Sequence, residues 1–218
     1  MTFDLQWVQS NAGYLARLVG EHALLALLPM LVALVVAIPL GYLIFRTRRV
    51  ADLILAILGV AYAIPFLVLI VAVPLIFGTG LLKPINVAIT LTIYSIAVLV
   101  HSVVGGLRSV PAAVDQSAIA AGFGGLGRVT RIQLPLAMPM IFAGLRVATV
   151  SNIALVSVAA VIGGGALGQL FDQGLADRLY TPVIVGLVLT LLLALLADGI
   201  ILAVKRGSLP WARKRRLA

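Results

Sequence analysis

The chain is 218 residues long, 62% hydrophobic and only 11% charged, with a mean hydropathy of +1.19, so lipid and not water is the solvent for most of it. Its net charge of +9 comes from sixteen Lys and Arg that fall in clumps between long uncharged stretches, which argues against a nucleic-acid-binding face and for a role in membrane orientation. Cysteine is absent, which excludes disulfides, thiolate chemistry and cysteine-based metal sites.

Residues 1–21 form an N-terminal segment in which Phe3, Leu5, Trp7, Val8, Tyr14, Leu15 and Leu18 alternate with polar residues. That mixture predicts an amphipathic stretch at the outer membrane interface. No basic cluster precedes a short apolar run, so no cleaved signal peptide is expected. A spanning helix needs about 20 apolar residues, and five stretches qualify: His22 to Phe45, Leu53 to Phe77, Pro84 to Val104, Pro139 to Ile162 and Thr181 to Val204. The membrane domain therefore covers 22–204, and a basic tail follows over 205–218. Prolines 29, 39, 65 and 74 fall in the first two spans and predict kinks there.

Alternate loops differ sharply in charge. One side collects Arg46, Arg48, Arg49, Arg108, Arg128, Arg131, Lys205, Arg206, Arg213, Lys214, Arg215 and Arg216, the other only Arg17, Lys83 and Arg178. The positive-inside rule then puts the N-terminus outside and the C-terminus in the cytoplasm. It also makes loop 105–138 cytoplasmic. This loop carries its own punctuation: Ser109 reads as an N-cap and Pro111 as a first-turn residue, before an Ala-rich helix running to Gly122. Phe123-Gly124-Gly125-Leu126-Gly127 reads as a turn, and Arg128 to Leu134 as a second helix ending at Pro135 and Pro139. The small side chains of Ala112, Ala113, Ala118, Ala120 and Ala121 suit a helix lying deep in another protein's groove.

Within this loop Gln116-Ser117-Ala118, Gly122, Ile132 and Leu134-Pro135 keep the spacing of a known signature: Glu-Ala-Ala, three residues, Gly, nine residues, Ile, one residue, Leu-Pro. The chain thus resembles the permease subunits of ABC importers in their cytoplasmic EAA loop, and Ala143 to Arg146 is similar to that family's continuation. Tyr94-Ser95-Ile96-Ala97, Ser109 to Val114, Ile141 to Ala148 and Gly163 to Leu170 extend the resemblance to the five-span permeases of osmoprotectant importers. Five-span methionine permeases share the length, loop and Gly-rich segment, and remain the alternative. The resemblance implies an all-helical type I importer fold and an ATPase-coupling surface at Asp115, Gln116, Ser117, Ala118, Gly122, Gly127, Ile132, Leu134 and Pro135, with the contact helix over Gln116 to Gly127. It implies three kinds of partner: ABC ATPase subunits, a second permease subunit and an extracytoplasmic substrate-binding protein. It implies no enzyme activity and no cofactor in this chain, since ATP and magnesium are held by the ATPase. Gln116 stands where the family has glutamate, which puts a salt bridge from that position in doubt. Asp115 is one residue away, a rotation of about 100° around a helix, so it is not expected to substitute.

The remaining motifs weigh less. Gly163, Gly165 and Gly168 fit G-x-G-x-x-G but lack any βαβ context, so they read either as an outer contact loop with Gln169, Asp172 and Asp177 or as a plain connection. No P-loop occurs, so ATP must be hydrolysed elsewhere. His22 and His101 lie far apart without carboxylates at ligand spacing; each reads as a helix-end residue, and no metal site is expected. Arg146 and Asp198 are charged residues inside spans, and the cost of an unpaired charge there predicts that they meet, as a helix tie or beside a conduction path. Asn86, Thr90 and Tyr94 share one face of span three, and Thr149 and Asn152 one face of span four. Such stripes serve interhelical packing or a hydrated passage, which Tyr62, Pro65 and Phe66 of span two would narrow. Trp211 among the tail's basic residues reads as an anchor at the inner interface, or as a salt-sensitive contact with anionic lipid. A channel or secondary transporter would more often show coupling-ion ligands or inverted repeats, which are not apparent.

Overall fold

A computed structural model describes residues 3–47, 49–80, 83–160, 163 and 165–211. Arg48, the last two residues of the fourth expected span, Gly164 and the tail residues Arg213 to Arg216 lie outside the described residues. Every regular element among the described residues is helical. Helix α1 (Leu5–Ser10) opens at Asp4, whose carboxylate accepts the Trp7 amide at 3.0 Å and so satisfies one free helix-start donor. Helix α2 (Ala12–Arg46) is a single 35-residue rod. At 1.5 Å per residue it is roughly 52 Å long, well beyond an apolar bilayer core of about 30 Å. Residues 12–21 are therefore continuous with the first membrane helix.

The second span differs most from a straight reading of the sequence. It is two helices, α3 (Ala51–Ala63) and α4 (Phe66–Phe77), bent by 100° at Ile64 and Pro65. Pro65 has no amide hydrogen to continue the ladder and forces Ile64 into an extended conformation, φ −61° and ψ 130°. Pro29, Pro39 and Pro74 sit inside helices that continue past them. Helix α5 (Pro84–Arg108) follows, and with Pro at its first turn it starts where a missing amide hydrogen costs nothing. It runs on past Val104 to Arg108, and Ser109 is its C-cap, the hydroxyl donating to the Gly106 carbonyl at 2.7 Å. The expected role of Ser109 as the next helix's N-cap is thus overturned.

Beyond Pro111 come α6 (Ala112–Ala120), α7 (Gly125–Arg128), a π-helical turn (Val129–Gln133) and α8 (Leu134–Ala159). The last three form one continuous rod, so neither Pro135 nor Pro139 ends the helix. The π-turn explains how Pro135 is accommodated: the Leu134 amide bonds back to Val129, and the widened turn makes room ahead of the proline ring. A 3₁₀ turn (Ala166–Gly168), α9 (Gln169–Ala176) and α10 (Tyr180–Ser208) complete the chain. The described residues hold four helices long and apolar enough to span a membrane, or five with the bent pair counted as one.

Helix α5 is the centre, packed between α2 and α8 with Leu91, Leu99, Val100, Val103 and Val104 buried. Close approach comes from small residues at the crossings: a Cβ on Gly106 would lie 2.8 Å from the Ala137 carbonyl oxygen of α8. Helix α10 rests on α8 and α9 by one side, leaving Leu191, Leu195, Leu196 and Ile200 exposed, as a lipid-facing surface requires. One end of the bundle gathers the basic residues. Asp52 at the start of α3 pairs with Arg108 at 2.8 Å, Arg46 lines a hollow with Arg128 and Gln133, and Trp211 lies beside Arg131, Ile132 and Pro135.

Candidate functional site

The loop at the basic end is built by three short-range devices. First, Gly122 has φ +81°, and the Phe123 amide bonds to the Ala118 carbonyl (3.0 Å) while the Gly122 amide bonds to Ile119 (2.9 Å). This is a Schellman ending of α6, and it needs a residue without a Cβ at that place. Second, Asp115 accepts from Arg128 Nη1 at 3.1 Å and from Gln133 Nε2 at 2.8 Å, tying α6 to α7 and the π-turn. Third, the Ser117 hydroxyl donates to its own helix at Ala113, 2.8 Å away, and so offers no tie to a neighbouring element.

These contacts sort the signature positions. Asp115, Ala118 and Gly122 build the loop, with Ala118 buried against the chain. Gln116 and Ser117 point outward and are exposed, as are the apolar Ile119, Phe123 and Leu126, the last with 80% of its surface free. Gly127, Ile132, Leu134 and Pro135 are half-buried at the root of α8. The expected contact helix over Gln116 to Gly127 is in fact the end of α6, a glycine turn and α7. Asp115 and Gln116 do face different surroundings, in line with the 100° step between them. The sequence reading misses Arg128 and Gln133 as partners of Asp115; spacings of 13 and 18 residues leave no periodic trace.

Inside the membrane region Arg146 and Asp198 join α8 to α10 with two parallel bonds, Nε to Oδ1 at 2.5 Å and Nη2 to Oδ2 at 2.8 Å. This is the fork geometry that suits guanidinium and carboxylate. Asn86, Thr90, Tyr94, Thr149 and Asn152 are all buried. Asn86 accepts from Thr79 and donates to the Gly80 carbonyl at 2.8 Å, closing the turn between α4 and α5. Thr149 bonds to Leu145 of its own helix. Asn152 accepts from Ser95 at 3.1 Å and donates to the Ala26 carbonyl at 3.0 Å, linking α5, α8 and α2. Asn152 is thus an interhelical tie, Asn86 a turn closure and Thr149 an intrahelical contact.

Tyr94 is the exception in kind. Its hydroxyl donates to the Ile64 carbonyl, the group freed where α3 and α4 part, and its ring packs on Tyr62 (5.3 Å between centroids) and Phe66 (6.2 Å). The stripe on α5 and the aromatic residues of the second span therefore meet, at the bend, with Tyr62 and Pro65 exposed beside it. Two further residues escape the sequence reading. Ser95 stands out there only as one member of a motif, and the helix-end reading of His22 is overturned. His22 is fully buried inside α2 with Nε2 2.9 Å from the Ile153 carbonyl. The recurrence of Ala26, Ala33, Ala37 and Gly41 on the buried face of α2 is the available signal that His22, one turn before Ala26, faces inward.

Comparison with known proteins agrees with this architecture. The family described as "Binding-protein-dependent transport system inner membrane component" matches residues 24–208. An osmoprotectant import permease protein of Salmonella typhimurium is 31% identical over 202 residues, 90% of this chain and 93% of that protein. A glycine betaine/carnitine/choline transport system permease protein of Bacillus subtilis is 28% identical, covering 94% of each chain. A choline transport system permease protein of the same organism is 30% identical over 97% of this chain and 96% of that protein. Among solved structures, an inward-facing form of the MetNI methionine ABC transporter has the same fold, with a TM-score of 0.72 at 22% identity over 94% of this chain and 99% of that chain. The chain accordingly belongs to the family of binding-protein-dependent transport system inner membrane components, a permease subunit and not an enzyme, whose membership implies an ATPase and a substrate-binding protein as partners.

Proposed function

We propose that this permease forms half of the translocation pathway of an ATP-driven importer for a small osmoprotectant such as glycine betaine, carnitine, choline or proline. The observation that carries the substrate class is full-length likeness, at 28–31% identity, to permeases named for osmoprotectants, choline and glycine betaine/carnitine/choline. The methionine transporter shares the fold at 22% identity, which supports no substrate. A second permease, identical or related, completes the pore. ATP and magnesium are bound by a separate ATPase, which meets the outward surface of α6 and α7 at Gln116, Ser117, Ile119, Phe123 and Leu126.

The build of the loop supports that coupling role. Asp115 bonds α6 to the root of α8, so a push on α6 is delivered to a rod that continues as a membrane helix. Gln116 gives its side the hydrogen-bonding capacity of an amide without a charge, so contact there rests on hydrogen bonds and apolar area. The excess of Lys and Arg at this end supports its cytoplasmic placement. The substrate-binding protein that works with this permease provides the test: calorimetric titration is expected to detect binding of glycine betaine, carnitine, choline or proline. Binding of methionine with no response to these four would overturn the substrate assignment.

A further inference from the structure

The Arg146–Asp198 pair has an unusual setting. At 1.5 Å per residue Asp198 lies about 15 Å inside the end of α10 at Ser208, so the pair sits well within the membrane part of the bundle. The two side chains nevertheless keep 39% and 23% of their surface exposed. They open onto a hollow of about 500 Å³ on the outside of the chain, walled by Ala143, Val147, Val150 and Ser151. Charged groups facing hydrocarbon at this depth are costly even when paired. Between Leu187 and Val204 the other exposed large side chains of α10 are Leu, Val and Ile, so at this depth the charge is confined to one flank of the helix, on the side of α8.

We infer that this flank faces the water-filled passage closed by the second permease, and that the Arg146–Asp198 pair is a charged station on its wall for a zwitterionic substrate. The inference rests on the osmoprotectant reading for its substrate and on the pair's exposure for its position. Arg146 spends Nε and Nη2 on Asp198, and no bond from its Nη1 is among those described, so that nitrogen can meet a carboxylate. Asp198 keeps further lone pairs toward a quaternary ammonium, which needs only a negative charge close by. Glycine betaine, carnitine and proline carry both charges a few atoms apart, as the pair does. A station whose charges are already satisfied by each other binds weakly, which suits passage more than storage.

The chain has no cysteine, so an introduced one is its single thiol. Val150 (43% exposed) lines the hollow, while Leu196 (64% exposed) lies roughly 160° around α10 from Asp198. Val150→Cys and Leu196→Cys are made in the full complex in proteoliposomes and treated with a charged methanethiosulfonate, which reacts only where water reaches. Beside them, the doubly neutral Arg146→Gln/Asp198→Asn permease keeps a side-chain hydrogen bond and removes both charges. The expected result is reaction at Val150→Cys but not at Leu196→Cys, with uptake of glycine betaine by the neutral pair falling about tenfold at low substrate and much less at saturation. Silence at both cysteines overturns the inference, since the flank then lies in lipid or is packed shut. Reaction at Val150→Cys with uptake lowered equally at all substrate concentrations, or unchanged, also overturns it, leaving the pair a structural tie. A wild-type complex that carries no zwitterion removes the station, and one that carries neither a zwitterion nor choline removes the substrate reading as well, whereas the labelling separately decides whether the flank meets water.

Discussion

At the scale of single residues, the loop signature divides into positions that shape the backbone and positions that face outward. Gly122 belongs to the first kind. Its φ of +81° costs an L-residue about 1 kcal/mol or more, so Gly122→Ala is expected to destabilise the loop by that amount and to lower substrate-stimulated ATP hydrolysis in the assembled complex. Gly124 has φ −66° and open space where a methyl group would project, so Gly124→Ala is the control and is expected to leave both readouts as they are. Equal effects from the two would deny the Schellman ending its role. Thr90 separates packing from passage. Its hydroxyl is fully buried and has no hydrogen-bond partner among the described residues. Thr90→Val is therefore expected to raise thermal stability in detergent, by about 1 kcal/mol, with uptake retained. Lost uptake at unchanged stability would instead place Thr90 on a hydrated path. Spacing makes the glycine legible in the sequence, and period makes the polar stripe legible. Neither says whether that stripe meets water or other helices, because a 3.6-residue period records a shared face and not what covers it.

At the scale of elements, apolar length alone locates the membrane helices, but the fates of their prolines are beyond it. Pro29, Pro39, Pro74, Pro135 and Pro139 lie within continuing helices, whereas Pro65 parts α3 from α4. What distinguishes Pro65 is a partner thirty residues on: the Tyr94 hydroxyl takes up the Ile64 carbonyl, so the broken ladder leaves no unsatisfied acceptor there. Pro135 is absorbed by the π-turn before it, a backbone adjustment with no sequence signature. Ser109 misleads for a similar reason, since a serine next to Val-Pro suits the end of one helix as well as the start of another. The crossing of α5 with α8 is not legible either. Gly106→Leu is expected to force these helices apart and lower the melting temperature by the equivalent of about 1–3 kcal/mol, because the new Cβ would meet backbone that cannot yield. Gly199→Ala, with open space around it, is expected to be neutral or slightly stabilising in the same detergent melt. A melt that treats the two alike would mean that α5 and α8 do not approach as described.

At the scale of the molecule, hydropathy and loop charge establish a multi-pass membrane chain, and the loop spacing carries its relation to importer permeases. Two properties escape the sequence because they are properties of assembly. The chain buries its polar stripe internally, so the passage proposed above is one that a second permease would complete. The side of α10 away from Asp198 is an apolar surface suited to lipid, while the flank bearing Asp198 is not. The basic tail beyond Trp211 lies outside the described residues. These pieces make one proposed account, in which an ATPase acts on α6, the Asp115 clamp passes its motion to α8, and α8 with its partners opens a path for an osmoprotectant. The most direct measurement is uptake into proteoliposomes holding this permease with its ATPase and binding protein. The account predicts accumulation of radiolabelled glycine betaine or choline that requires ATP hydrolysis and is not competed by methionine. Accumulation without ATP, or of methionine in place of these compounds, would contradict it.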